Sequence, residues 1–213
     1  MEWRLLAGFP DADVRRLISI ARRRRFARNE VVFHHDDPGD SLHLIAAGRF
    51  AIRIMTPLGD TAILAVRGPG ESFGEMALVG DRPRLTATVA ALEDAETFAI
   101  YKGDFERVRA DHPSVDDVLF AFLVAEVRTL DERLLEALYV SADRRILRRV
   151  RDLVGDVPGG ELPLTQEELA ELAGTSRSTV NRVLRNEERR GTVALSRGRI
   201  RVLDPTQVAR RAR

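Results

Sequence analysis

Arg177, Ser178, Asn181, Arg182 and Arg185 fall on one side of a short helical stretch, since residues three and four apart are helix neighbours. Guanidinium, amide and hydroxyl groups on a free face can donate to phosphates and to the acceptors of guanine and adenine in a major groove. Val180, Val183 and Leu184 read as the packed face of the same stretch. A second constellation lies upstream, in Gly74-Glu75-Met76-Ala77-Leu78, followed by Arg82 and Arg84 in a short loop. A glycine that permits close backbone approach, a helical turn with free N–H groups and nearby guanidinium groups would make a phosphate cradle, with Glu75 accepting from sugar hydroxyls. As chemistry alone, this second pattern fits a long turn with exposed arginines equally well.

The first constellation needs an element to present it. Thr165 and Glu168 have the spacing of a capping box, in which the hydroxyl accepts a backbone N–H and the carboxylate reaches back to another. Leu169, Leu172 and Ala173 keep one face of the ensuing helix apolar, Gly174 supplies a turn, and Ser176 is a second N-cap. Caps, turn glycine and apolar spacing agree, which favours a helix-turn-helix over a solvated helical hairpin. Ahead of it, Ile146, Leu147, Val150, Leu153 and Val154 predict an amphipathic helix closed by Val157-Pro158-Gly159-Gly160. Behind it, Val193–Leu195 and Ile200–Leu203 flank Ser196-Arg197-Gly198-Arg199, a strand–turn–strand pattern that predicts a wing with further backbone contacts to DNA.

Residues 141–213 carry 16 Arg or Lys against 10 Asp or Glu, whereas residues 1–140 carry 18 against 23. Positive charge therefore gathers where a polyanion would be met. The chain has no cysteine, which excludes disulfides, thiolate zinc sites, cysteine-ligated iron–sulfur clusters and a catalytic cysteine. His34, His35, His43 and His112 form no metal-ligating pattern, and no His-x-His set or paired catalytic carboxylates suggest an enzyme. No apolar run is long enough for a membrane span, and the N-terminal residues do not read as a signal peptide, so a cytoplasmic location is expected.

From the start, Val14, Leu17, Ile18 and Ala21 predict a helix over residues 11–25, with Arg22–Arg25 read as its solvated end in preference to a nucleic-acid patch. Short β-branched stretches follow at Glu30–His34, Ser41–Ile45, Arg49–Thr56, Thr61–Val66, Ala87–Ala91 and Thr97–Ile100, separated by Gly- and Pro-containing turns. This pattern predicts one compact antiparallel sandwich or barrel. Tyr101-Lys102-Gly103-Asp104-Phe105 opens a short helix, and Pro113 or Ser114 opens a long one reaching about Leu138. The apolar residues of the long helix cover more than one stripe, which favours a dimer seam over burial within one chain. A regulatory module attached to an enzyme or channel would need a catalytic or membrane segment in place of Leu164–Leu203.

Phe73-Gly74-Glu75-Met76-Ala77-Leu78, Arg82-Pro83-Arg84-Leu85-Thr86-Ala87-Thr88-Val89, the long helix and Gly174-Thr175-Ser176-Arg177-Ser178-Thr179-Val180-Asn181-Arg182 together resemble the Crp/Fnr superfamily of bacterial transcription regulators. The resemblance implies an α+β protein: an N-terminal antiparallel, jelly-roll-like β-roll over residues 1–112, a dimerisation helix over 113–139 and a winged helix-turn-helix over 140–213. It further implies a homodimer on double-stranded, pseudo-palindromic DNA, contact with RNA polymerase, and a small effector, for which cyclic AMP or another cyclic nucleotide is the candidate. Differently gated or constitutive DNA binding is the alternative. Carried over by position, Arg177 and Arg182 match the family's recognition-helix arginines, Thr165, Gln166, Ser176 and Thr179 its backbone-contacting groups, and Asn181 shares their face. Ser178 stands where a glutamate reads cytosine in the cyclic AMP receptor branch, so a different operator is expected. Gly74, Glu75, Met76, Ala77, Arg84, Thr86 and Ala87 form the implied effector site. An ungapped alignment puts the phosphate arginine at Leu85, beside Arg84, and the adenine-contacting pair at Leu130-Asp131.

Overall fold

The computed structural model describes residues 2–56, 59–79, 83–112, 114–154, 160–162, 164–196 and 199–213. Arg82, Pro113, the Val157-Pro158-Gly159 turn and the wing tip Arg197-Gly198 lie outside them. The chain divides into two compact units, Met1–Ile54 with Leu64–Thr129, and Met55–Ile63 with Leu130–Arg213.

Helix α1 (Asp11–Ile20) precedes β1 (Arg22–Phe26), β2 (Val31–Phe33), β3 (Ser41–Ala47), β4 (Phe50–Met55), β5 (Thr61–Arg67), β6 (Ser72–Phe73), β7 (Thr88–Ala91) and β8 (Ala95–Tyr101). The strands form two sheets, ordered β1-β8-β3-β6 and β2-β7-β4-β5. Strand alternation sorts β3 by parity. Ile45 joins Phe26, Phe50, Phe73 and Val89 in one buried cluster, while Leu42 and Leu44 join Trp3, Leu5, Leu17 and Ile100 in another. Helix α2 (Lys102–Asp111) and the first half of α3 (Ser114–Tyr139) close that second cluster with Phe105, Val108, Val115 and Leu119. His43 is buried, its ring stacked on Phe73 at 4.9 Å, and burial lowers its pKa to about 4, so it stays neutral at physiological pH.

Arg22–Arg25 is not a helix end. Helix α1 stops at Ile20, and the arginines form an edge strand that pairs with β8, all four side chains exposed and Phe26 buried. The 3.6-residue apolar pattern ends at Ala21, and the arginines beyond it are held by cross-strand partners, including Glu96 beside Arg23 and Arg25.

Along α3, Phe120, Val127, Leu130, Leu134, Leu135, Leu138 and Tyr139 remain exposed, Tyr139 at 82%. In the second unit, α4 (Ala142–Val154), α5 (Gln166–Ala173) and α6 (Arg177–Arg189) bury Ile146, Val150, Leu169, Val180 and Leu184. Strands β9 (Glu161–Leu162), β10 (Val193–Ser196) and β11 (Arg199–Val202) form an antiparallel sheet in the order β10-β11-β9, and α7 (Pro205–Arg211) comes after them. Among the described residues no helix is long and apolar enough to cross a membrane.

Candidate nucleic-acid interface and effector pocket

The capping box forms as its spacing predicts. Thr165 Oγ1 accepts from Glu168 N at 3.1 Å, and Thr165 N donates to the Glu168 carboxylate at 2.8 Å. Gly174 ends α5 in the left-handed region with φ 60°, so the chain turns sharply without a Cβ penalty. Arg145 fastens that turn from below by donating to the carbonyls of Val140 (2.8 Å), Ala173 (3.0 Å) and Gly174 (2.9 Å). Ser176 Oγ caps α6 by accepting from Thr179 N at 3.3 Å.

The exposed face of α6 carries Arg177, Ser178, Asn181, Arg182 and Arg185. Arg177 meets Glu167 at 3.8 Å and Arg185 meets Glu188 on its own helix at 2.7 Å. Arg182 donates through both terminal nitrogens to Asp143 of α4, at 3.0 and 2.5 Å. Ser178 Oγ lies 2.9 Å from Ser176 Oγ, and Thr179 Oγ1 also lies 2.9 Å from it, so these hydroxyls link into the N-terminal cap. Between α6 and the β10–β11 hairpin runs a groove of about 500 Å³ whose lining includes Thr165, Gln166, Arg177, Asn181, Ser196 and Arg199. The fold thus brings the predicted backbone-contacting groups Thr165 and Gln166 to the same groove as Arg177 and Asn181. A groove with donors on both walls can follow a phosphate backbone while the helix face reads bases.

In the first unit, Gly74 adopts φ 84°, and a Cβ there would stand 2.7 Å from the Ser41 carbonyl oxygen, so the position requires glycine. Glu75–Leu78 then makes a single 3₁₀ turn, with Met76 exposed and Ala77 buried. Thr86 is exposed and Ala87 buried at the approach to β7. Arg84 turns outward to the Asp36 carbonyl oxygen, at 2.7 Å, and Leu85 is buried. The turn therefore has the left-handed glycine and the single helical turn that the predicted cradle calls for, while Arg84, the neighbouring guanidinium, is engaged with Asp36.

Sequence reasoning missed the charged group beside Glu75. Arg67, at the end of β5, ion-pairs with Glu71 at 3.0 Å and with Glu126 of α3. Burial raises the Glu75 carboxyl above its ordinary range; its own backbone N–H and Arg67 oppose that rise, and Glu126 adds to it. An arginine closing the otherwise apolar strand Ala62–Val66, with a glutamate four residues on, was the available signal. Asp143 was missed as well, since nothing local in the sequence links the start of one helix to the middle of another.

The chain matches the cyclic nucleotide-binding domain family over residues 23–112 and the Crp-like helix-turn-helix domain family over residues 132–211. It is 32% identical over 198 residues to the cyclic AMP receptor protein of Thermus thermophilus, covering 93% of this chain and 91% of that protein. The chain belongs to the Crp/Fnr family of transcription regulators. A CRP-like cAMP-activated global transcriptional regulator of Mycobacterium tuberculosis is 30% identical over 195 residues, covering 88% of this Crp/Fnr chain and 87% of the relative. The crystal structure of Thermus thermophilus catabolite activator protein is 31% identical over 98% of both chains, with a TM-score of 0.57. FixK2 from Bradyrhizobium japonicum, at 17% identity and a TM-score of 0.77 over 90% of this chain and 96% of that one, shares the fold. The Crp/Fnr protein described here thus regulates transcription through DNA, with a β-rich domain, a long helix and a helix-turn-helix in that order.

Proposed function

We propose that this Crp/Fnr protein is a cytoplasmic homodimer that reads a pseudo-palindromic operator with Arg177, Ser178, Asn181 and Arg182, while Thr165, Gln166, Ser176 and Thr179 fix its register on the backbone. Residues 1–112 form the effector domain, 113–139 the dimerisation helix and 140–213 the DNA-binding domain. RNA polymerase is the further partner. The observation that carries the reading is the exposed, donor-rich face of α6 beside a groove that Arg199 of the wing also lines. Two such helices related by a two-fold axis call for half-sites about 34 Å, one turn of DNA, apart. Footprinting on sites selected from random duplexes tests this: paired half-sites of that spacing are expected, and a single unpaired half-site bound by monomer overturns it.

The effector reading rests on Gly74, Glu75, Met76, Ala77, Thr86 and Ala87, with Arg84 as the anion partner, and on relatives named for cyclic AMP. It requires Arg84 to leave Asp36. A second reading, DNA binding independent of cyclic nucleotides, is favoured by the engaged Arg84, the buried Leu85 and the exposed Leu130 and Asp131. Calorimetry with cyclic AMP and cyclic GMP separates the two. Heat that Arg84→Ala abolishes supports the first, and no heat with either nucleotide supports the second.

A further inference from the structure

Arg177, Arg182 and Arg185 share one face of α6 but are held differently. Arg185 is paired along its own helix, and Arg177 has a contact of 3.8 Å to Glu167. Arg182 instead makes an end-on fork, Nη1 to one oxygen of Asp143 and Nη2 to the other, across to the first turn of α4. Both side chains are about half exposed, at 55% and 48%. An exposed pair of this kind contributes little to folding stability. Its consequence lies in geometry, because a bidentate carboxylate fixes the plane as well as the position of a guanidinium. End-on pairing also leaves Nε–H and an outer N–H of the fork as two parallel donors, the arrangement that matches guanine O6 and N7. Asp143 sits two and three residues before Arg145 and Ile146, and α4 is fixed there by the bonds from Arg145 to the α5–α6 turn and by the burial of Ile146, so the backbone that carries its carboxylate is anchored.

We propose that Asp143 is a positioning residue for DNA specificity: it holds Arg182 so that its side edge, and not its end, meets a guanine. The proposal rests on the assignment of Arg182 as a base reader. It makes the base preference of α6 depend on a residue outside the helix-turn-helix.

The test uses the full chain and a duplex recovered by selection with the wild-type protein from a randomised pool. Base-preference profiles and affinities, for that duplex and for random DNA, are measured for wild type, Asp143→Ala, Asp143→Asn, Arg182→Ala and the double variant Asp143→Ala/Arg182→Ala. Asp143→Ala is expected to weaken discrimination about five- to tenfold at the same base pairs that Arg182→Ala affects, a fraction of what a bidentate base contact supplies. Random-DNA binding should hold or tighten slightly, the melting temperature should not move, and Asp143→Asn should retain part of the preference. The double variant should match Arg182→Ala, the signature of one coupled unit. An unchanged profile in Asp143→Ala, or uniform tightening on all sequences, overturns the proposal and makes Asp143 a bystander or a competitor of DNA. An unchanged profile in Arg182→Ala removes the base-reading assignment itself, and the proposal with it.

Discussion

Arg177 and Arg182 present the same chemistry in different settings. Arg177 lines the groove shared with the wing, whereas Arg182 is braced by Asp143 at the outer face. Replacing either with alanine should cost about 1–3 kcal/mol on the selected site and relax preference at its own base pairs. Competition titrations against random DNA check this. Equal losses on random DNA would reassign the residue to phosphate contact. At the effector site, the raised carboxyl of Glu75 has a directional consequence. A native-state carboxyl pKa above its unfolded value favours stability below the unfolded pKa, and that contribution is lost as pH rises through the native one. The ionised carboxylate accepts a hydrogen bond from a sugar hydroxyl more strongly than the neutral acid does. Cyclic nucleotide affinity, measured by calorimetry across acidic to neutral pH, is therefore expected to rise with pH in wild type and to lose that dependence in Glu75→Gln.

At the scale of elements, the sequence is most legible where local rules act alone. The Thr165–Glu168 box, the Gly174 turn and the start of the long helix at Ser114 depend on a few adjacent residues, and each falls where the spacing puts it. Thr165→Ala should cost about 1 kcal/mol in a thermal melt, the usual worth of a lost N-cap. What the sequence hid was long-range. Arg22–Arg25 reads as a helix end until β8 supplies a partner strand, and two-residue strands such as β6 and β9 have no pattern of their own. Helix α7 is held by a charge that no local pattern announces. Buried Glu187 of α6 accepts from Thr192 Oγ1 at 2.7 Å and from Arg211 at 2.6 and 3.1 Å. Burial opposes its ionisation, but the hydrogen bonds from Thr192, Arg211 and Arg190 prevail and lower its pKa. A lowered carboxylate stabilises above its unfolded pKa and loses that effect as pH falls through the native value. Glu187→Gln should therefore destabilise the DNA-binding domain by about 2–3 kcal/mol at neutral pH, the worth of hydrogen bonds to a charged group, with the gap to wild type closing in acid. A constant gap across pH would mean that packing, not charge, holds α7.

For the whole molecule, the decisive feature is the stripe of α3 that its own chain leaves exposed. Phe120, Val127 and Leu134 recur every seven residues, and Leu130 and Leu138 fall between and beyond them. That is the spacing of a seam between two helices, and single chains rarely expose a contiguous apolar strip of this length. Leu134 is 59% exposed, so Leu134→Arg removes little intrachain packing but would bury a charge at the seam of a dimer. The variant should melt near the wild-type temperature at low concentration and sediment as a monomer. Its affinity for one half-site should persist, because α6 and the wing are untouched. Its affinity for the paired site should fall by about a hundredfold, since the second half-site no longer binds from a tethered partner. If Leu134→Arg still sediments as a dimer, the two-fold axis lies elsewhere. If it becomes a monomer yet binds the paired site as tightly as wild type, α3 sets the oligomer but not the reading of DNA. Loss of dimer and of paired-site affinity together, with half-site affinity kept, makes the exposed stripe of α3 the element through which two weak readers become one specific one.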